Sequence, residues 1–306
     1  MTSVDNPELR PEGTYPGQPH IPGVPPQLQR GLSPYGMPAR HRAEIPLLIV
    51  AIVCMAVAYP YAIWKVVTDD SASSNLALFV FVPLIIFVLR GLTAGAPRAN
   101  GVKLSPTQFP EAHQMVVQAA ARFGMSKVPD AYVVLGNGVI NAMSVGHGFR
   151  RYVVINSDLF EIGGEARDPD ALAFVIGHEV GHIAAGHTSY WRMVGMAAVT
   201  YVPFLGSALS RAQEYTADNH GFCFRPEGSA GAIRLLTAGK YLNRLVDADV
   251  VADRASTENG FFVWLFNALA DHPVNTFRGA ALRNRMEHGR LIFRPRPVFI
   301  QLAPAA

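Results

Sequence analysis

Residues 168–187 read DPDALAFVIGHEVGHIAAGH, and this stretch decides the centre of the fold. It predicts a helix that runs through His182, because Asp168 is a good N-cap residue and a proline follows at the first helical position. Residues four apart lie on one helix face, so His178 and His182 are expected to point at the same spot with Glu179 beside them. Two imidazoles presented in this way, next to a carboxylate that does not ligate, predict a zinc site with a general base.

A catalytic zinc ion takes three protein ligands and keeps one open position. His187 is one candidate, but if the helix continues it lies about 140° around the axis from His182 and faces away. Residues 210–218 read SRAQEYTAD and form a second helical pattern in a mostly apolar context. We expect Glu214 to be the third ligand of one Zn²⁺ per chain, and Asp218, one turn later, to brace a ligand histidine.

HEVGH followed by SRAQEYTAD resembles the HtpX-type membrane zinc metalloproteases, which are gluzincins and relatives of the CAAX prenyl proteases. The resemblance covers roughly residues 45–290. It implies an α+β fold, with two N-terminal transmembrane helices followed by a mostly helical zincin-type catalytic domain that contains a small antiparallel sheet. It also implies a zinc metalloendopeptidase that acts on unfolded or membrane proteins, a quality-control role by family analogy.

Two further motifs resemble elements of that family. Asn141, Ala142 and Met143 resemble the edge-strand motif that binds substrate, although Met143 stands where an aromatic residue is more usual. His272, in a His-Pro step, and Arg278 resemble a downstream element in which the histidine contributes to transition-state stabilisation. The resemblance therefore implies a catalytic His272 and a supporting Arg278.

The expected reaction is metal-assisted amide hydrolysis. Glu179 takes the proton from the attacking water and later passes it to the leaving amine. His272 hydrogen-bonds the oxyanion. The substrate backbone pairs with the strand around Asn141 to Met143, which gives affinity that depends little on sequence.

Two long uncharged runs precede this region, residues 45–64 and 71–89. Each is about as long as a helix that crosses the hydrocarbon core of a bilayer, and neither has a polar face. They predict the following layout: a disordered Pro-rich tail (1–44), a first transmembrane helix (45–67), a short external loop (68–75), a second transmembrane helix (76–92) and a metallopeptidase domain (93–306).

Lysine and arginine flank the two spans on the side of the termini, whereas the link between them carries Asp69 and Asp70. This bias predicts a multi-pass protein of the cell membrane with both termini and the catalytic domain in the cytoplasm. Residues 1–46 hold ten of the 23 prolines. The tail is expected to be a solvated tether, and the alternative is a docking site for proline-recognising partners.

Composition limits the classes of partner. The formal net charge is +3, and no basic run follows a phosphate backbone, so a nucleic-acid partner is not expected. Two cysteines provide no disulfide framework. The expected partners are polypeptide substrates and the lipid bilayer.

The remaining chain predicts a helix over 110–123 and strands over 131–135, 140–145 and 151–155. Residues 191–209 are apolar and long enough for one crossing, but a crossing would separate Glu214 from the two histidines. We therefore expect a hairpin broken at Pro203 and Gly206.

Two other functions remain open at this point. One is a non-enzymatic membrane adaptor with a structural metal site, which needs a fourth ligand that only His187 or His220 offers nearby. The other is a CAAX-type prenyl protease, which by resemblance uses more membrane helices than two.

Overall fold

The computed structural model describes residues 38–160, 168–284 and 289–295. Within them the chain is mostly helical, with one four-stranded sheet, which confirms the predicted α+β class. The helices are α1 (Glu44–Thr68), α2 (Ser74–Val80), α3 (Val82–Asn100), α4 (Pro110–Arg122), α5 (Ser157–Phe160), α6 (Pro169–Ala184), α7 (Tyr190–Ala197), α8 (Leu205–Phe224), α9 (Gly228–Leu242), α10 (Ala248–Thr257), α11 (Phe261–Leu269) and α12 (Asn275–Arg283). The strands are β1 (Val102–Lys103), β2 (Asp130–Val134), β3 (Ala142–His147) and β4 (Arg150–Asn156).

Helices α1 and α3 are each long and apolar enough to cross a membrane, which is consistent with anchoring. Helix α1 covers the predicted first span. The predicted second span, 76–92, is divided at Phe81, and α3 continues beyond it to Asn100. The division follows from Pro83, which has no N–H to donate to the carbonyl of Phe79.

The predicted tail 1–44 lies outside the described residues as far as residue 37. Its last residues are packed against the domain, since His41 is 4% exposed and Glu44 is fully buried. Of the tail expected to be disordered, residues 41–44 therefore belong to the packed part of the chain.

The sheet has the order β1-β2-β4-β3. Strands β3 and β4 form an antiparallel hairpin, and β1 is antiparallel to β2, but β2 and β4 run parallel. The sheet is therefore mixed, and the expectation of a purely antiparallel sheet is corrected in this detail. The reason is that β4 pairs with β3 along one of its edges and with β2 along the other, and β2 runs in the same direction as β4. Strand β3 is left as an edge strand.

Helix α6 is the centre of the domain, with α4 and the sheet on one side and α8 and α9 on the other. Glycines allow α6 and α8 to approach closely. A Cβ atom at Gly181 would lie 2.4 Å from the Cβ of His220, and one at Gly221 would lie 2.9 Å from the carbonyl oxygen of Phe174. This close contact brings the two metal-binding patterns together.

The chain between α6 and α8 forms a hairpin, as the ligand argument requires. Helix α7 is followed by a single 3-10 turn, Val199–Tyr201, and α8 begins at Leu205 after Phe204 in a left-handed conformation. The break thus falls at Pro203, whereas Gly206 already belongs to α8. Val199 packs with Leu48 of α1, so the hairpin lies beside the first turns of the apolar helix.

Candidate metal centre

Three side chains meet where α6 crosses α8. The Nε2 atoms of His178 and His182 lie 3.1 Å apart, and each is 3.4 Å from a carboxylate oxygen of Glu214. All three ligand atoms lie within 4.8 Å of one another. The structure thus brings together the three residues expected from the sequence, which form a group that could hold a metal ion.

The donor set fits a zinc ion. Two imidazole nitrogens and one carboxylate oxygen are a ligand set of catalytic zinc sites. The Oε2 atom of Glu214 is buried and has no hydrogen-bond partner among the described residues, which is costly for a carboxylate unless a cation satisfies it. Burial by itself raises the pKa of Glu214, but the two histidines hold it well below its ordinary value.

His178 is supported from behind by an ion pair. Its Nδ1 lies 2.9 Å from Oδ1 of Asp218, and Arg278 binds both oxygens of the same carboxylate. Burial raises the pKa of Asp218, but Arg278 and His178 outweigh it and lower that pKa to about 2. Burial lowers the pKa of His178, whereas Asp218 and Glu214 together raise it to about 10. Asp218 is therefore a carboxylate at neutral pH and orients the ring of His178.

Glu179 lies beside the group without belonging to it. The hydroxyl of Ser144, on the edge strand β3, is 2.5 Å from Oε2 of Glu179 and donates to this carboxylate or to the carbonyl of the same residue. The sequence analysis missed Ser144. The available signal was the strand alternation, which places Ser144 two residues after Ala142 on the same face.

His187 is not a ligand in this arrangement, and neither is it directed away. Helix α6 ends at Ala184 and the chain reverses at Gly186, which has a φ of +77°, so His187 returns to the metal group. Its Nδ1 lies 2.8 Å from Nδ1 of His182. Burial lowers the pKa of His187 to about 3, so the ring is neutral at physiological pH. The sequence argument failed here because it depended on a continuing helix.

His272 lies at the mouth of the site. Its Nε2 is 3.5 Å from Oε1 of Glu214, and the side chain is 70% exposed. The connection between α11 and α12, which lies far from α6 in the sequence, therefore places this residue beside the metal group.

A cavity of about 510 Å³ opens at the metal group. Strand β3 and helix α3 border it, with Leu89, Arg90 and Thr93 on the α3 side. Ala142 and Met143 line the cavity as expected.

Asn141 does not line the cavity. Its carbonyl accepts a hydrogen bond from the backbone N–H of Asn156 in β4. Because backbone groups alternate in direction along a strand, the N–H and C=O groups of Ala142 and Ser144 face the open edge instead. Of the three residues expected to bind substrate, the structure therefore places Ala142 and Met143 at the cavity and Asn141 away from it.

Residues 106–201 match the model of peptidase family M48. The match confirms the resemblance to metallopeptidases of this type that was predicted from the sequence, and it does not select a subfamily. The matched region includes His178, Glu179 and His182 but ends before Glu214, which the structure adds to the group that could hold a metal ion. A comparison with curated proteins gives no match.

Proposed function

From an M48 domain whose His178, His182 and Glu214 converge beside Glu179, we propose that this chain is a membrane-anchored zinc endopeptidase. The family match supports a metallopeptidase. The single observation that carries the finer proposal is the convergence of three ligand atoms within 4.8 Å, with an open cavity in front of them.

His178, His182 and Glu214 would hold the zinc ion, which when bound would supply Lewis acidity for the substrate carbonyl and the attacking water. Glu179 accepts the proton of the attacking water as the new C–O bond forms. It then gives that proton to the amine nitrogen as the C–N bond breaks. When the hydroxyl of Ser144 donates to Oε2 of Glu179, the other carboxylate oxygen is left for this proton transfer.

His272 donates a hydrogen bond to the oxyanion that develops on the scissile carbonyl. Its exposed position beside Glu214 supports this role, because the ring reaches the mouth of the cavity without being held by the core. A preorganised donor of this kind contributes a few kcal/mol to the transition state.

The substrate is an extended polypeptide segment that adds to the open edge of β3 at Ala142 and Ser144. Edge pairing uses backbone hydrogen bonds and so tolerates many sequences. Because one wall of the cavity belongs to the apolar helix α3, segments of membrane proteins near the bilayer surface are the natural substrates. By the lysine and arginine bias, the domain and both termini are cytoplasmic.

The described residues support an open catalytic site over a closed structural one. His187 faces His182 and Glu44 with its two nitrogens, and His220 uses Nδ1 to bond the carbonyl of Thr216. In the described ranges the metal group consists of three residues, and the fourth ligand of a structural zinc site is not among them.

The test is casein hydrolysis by the detergent-purified protein with and without a chelator. We expect Glu179→Gln to abolish hydrolysis and to retain stoichiometric zinc, because Glu179 is a base and not a ligand. Glu258→Gln, on the exposed end of α10, serves as the matched control and should keep both properties. Hydrolysis that survives chelation, or zinc that is lost in Glu179→Gln, would contradict the assignment.

A further inference from the structure

We propose that Glu44 and His187 position the metal ligand His182, so that the first apolar helix supplies the carboxylate that supports this histidine. The inference rests on the proposed metal site and adds two positioning residues to it. The Nδ1 atom of His178 lies directly against the carboxylate of Asp218, whereas the Nδ1 atom of His182 contacts the second histidine, His187.

The hydrogen bonds form a continuous path. His182 directs Nε2 to the metal group, so its Nδ1 carries the proton and donates it to Nδ1 of His187, 2.8 Å away. The other nitrogen of His187 must then carry a proton. It lies 3.2 Å from Oε1 of Glu44 and donates to this carboxylate. Each donor in the path, first His182 and then His187, thus has an acceptor in the next residue.

Glu44 is held firmly enough to act as an anchor. It is fully buried at the first turn of α1. Arg40 and Arg192 each lie 2.7 Å from its Oε1 atom, and the hydroxyl of Thr216 donates to its Oε2 atom at 2.5 Å.

The two arginines also fix the turn that carries His187. Each donates a hydrogen bond to the carbonyl of Ala185, at the end of α6. The same cluster therefore holds both the carboxylate and the ring that lies between it and the metal ligand.

A histidine ligand whose second nitrogen donates to a basic group is fixed in ring orientation and is a better donor to the metal. Loss of such a partner weakens metal binding by about 10- to 100-fold. Because Glu44 begins α1, this support for the metal group comes from the first apolar helix and not from α6 or α8, which carry the candidate ligands.

The test measures zinc affinity of the full chain in detergent, by competition with a chromophoric chelator. We expect Glu44→Gln and His187→Phe each to bind zinc about tenfold or more weakly than the parent. The double variant should bind no more weakly than the weaker single variant, since Glu44 has no path to His182 once His187 is gone. Additive losses would overturn the proposal.

Thr216→Val is the matched control. It removes a partner of the other oxygen of Glu44, in the same buried cluster, but leaves the path to His182 in place. We expect a loss of thermal stability with zinc affinity within about threefold of the parent, below the effect of losing a support. A loss as large as that of Glu44→Gln would show that the cluster acts only through general stability.

Rescue by a conservative variant completes the test and does not need a folded Glu44→Gln. In His187→Gln the amide oxygen accepts from His182 and the amide nitrogen donates to Glu44, so zinc affinity should recover relative to His187→Phe. The visible absorption of the Co²⁺-loaded protein should change in His187→Phe and return in His187→Gln. Equal affinities and spectra for the two variants would overturn the proposal.

The parent protein separates this inference from the proposed function. If the parent binds no zinc, the metal site itself is wrong. If the parent binds zinc and hydrolyses casein while Glu44→Gln binds zinc as tightly, only the positioning role fails.

Discussion

The two histidines of the metal group lie one helical turn apart on α6 but are supported by different parts of the molecule. His178 donates directly to Asp218, which is paired with Arg278, and all three are buried. His182 contacts a second histidine, His187, which in turn contacts Glu44, the first residue of α1.

The buried partners of the two histidines therefore come from different segments of the chain. The support of His178 by Asp218 and Arg278, called the Asp218 arm below, comes from α8 and α12. The support of His182 by His187 and Glu44, called the Glu44 arm below, forms only when the start of α1 packs beside α6 and α8. The packing of α1 and the geometry of the metal group are therefore linked through the buried carboxylate of Glu44.

The largest effect is expected from removing the carboxylate of the Asp218 arm, which supports His178. Asp218→Asn leaves the buried guanidinium of Arg278 without its ion-pair partner, a situation that costs about 3–5 kcal/mol. Denaturant unfolding should show this loss, and zinc binding should weaken more than in Glu44→Gln.

The matched control is Asp253→Asn, which removes an exposed carboxylate 2.7 Å from Arg283. Exposed ion pairs contribute about 1 kcal/mol or less, so this variant should unfold almost as the parent does. The comparison between the arms is wrong if Asp218→Asn is as mild as this control.

A second variant isolates catalysis from both arms. His272→Phe touches neither arm, so it should retain bound zinc and lower kcat about 100-fold through the lost oxyanion donor, with little change in KM. Zinc content and steady-state kinetics on one preparation check this. A kcat close to that of the parent would assign His272 to an ordinary loop.

The smallest effect concerns the turn that returns His187 to the metal group. Gly186→Ala places a side chain at a φ of +77°, with no atom closer than 3.6 Å to the new Cβ atom. The cost is therefore conformational, about 1–2 kcal/mol. Thermal unfolding measures it, and Gly186→Asn should cost less because asparagine tolerates this conformation. An unchanged melting temperature in Gly186→Ala would show that the turn at Gly186 does not hold His187 in the Glu44 arm.

Local patterns were sufficient for much of the site. The capped helix and the four-residue spacing predicted that His178 and His182 lie on one helix face and point at one metal ion, because helical periodicity depends only on neighbouring residues. The apolar runs predicted α1 and most of the second span for a similar reason. Glu214 was predicted from its helical context, and the approach of α6 and α8 then brings it to the histidines.

The sequence by itself therefore determined the helix that carries His178 and His182, the two apolar helices α1 and α3, and the resemblance to M48 peptidases. The tertiary structure alone decided the parallel pairing of β2 with β4, the return of His187 and the burial of Glu44. Glu44 and His187 are 143 residues apart, and their contact depends on a left-handed turn and on the seating of α1. Interactions of this kind have no sequence period, because they arise from which surfaces pack together and not from the repeat of any one helix or strand.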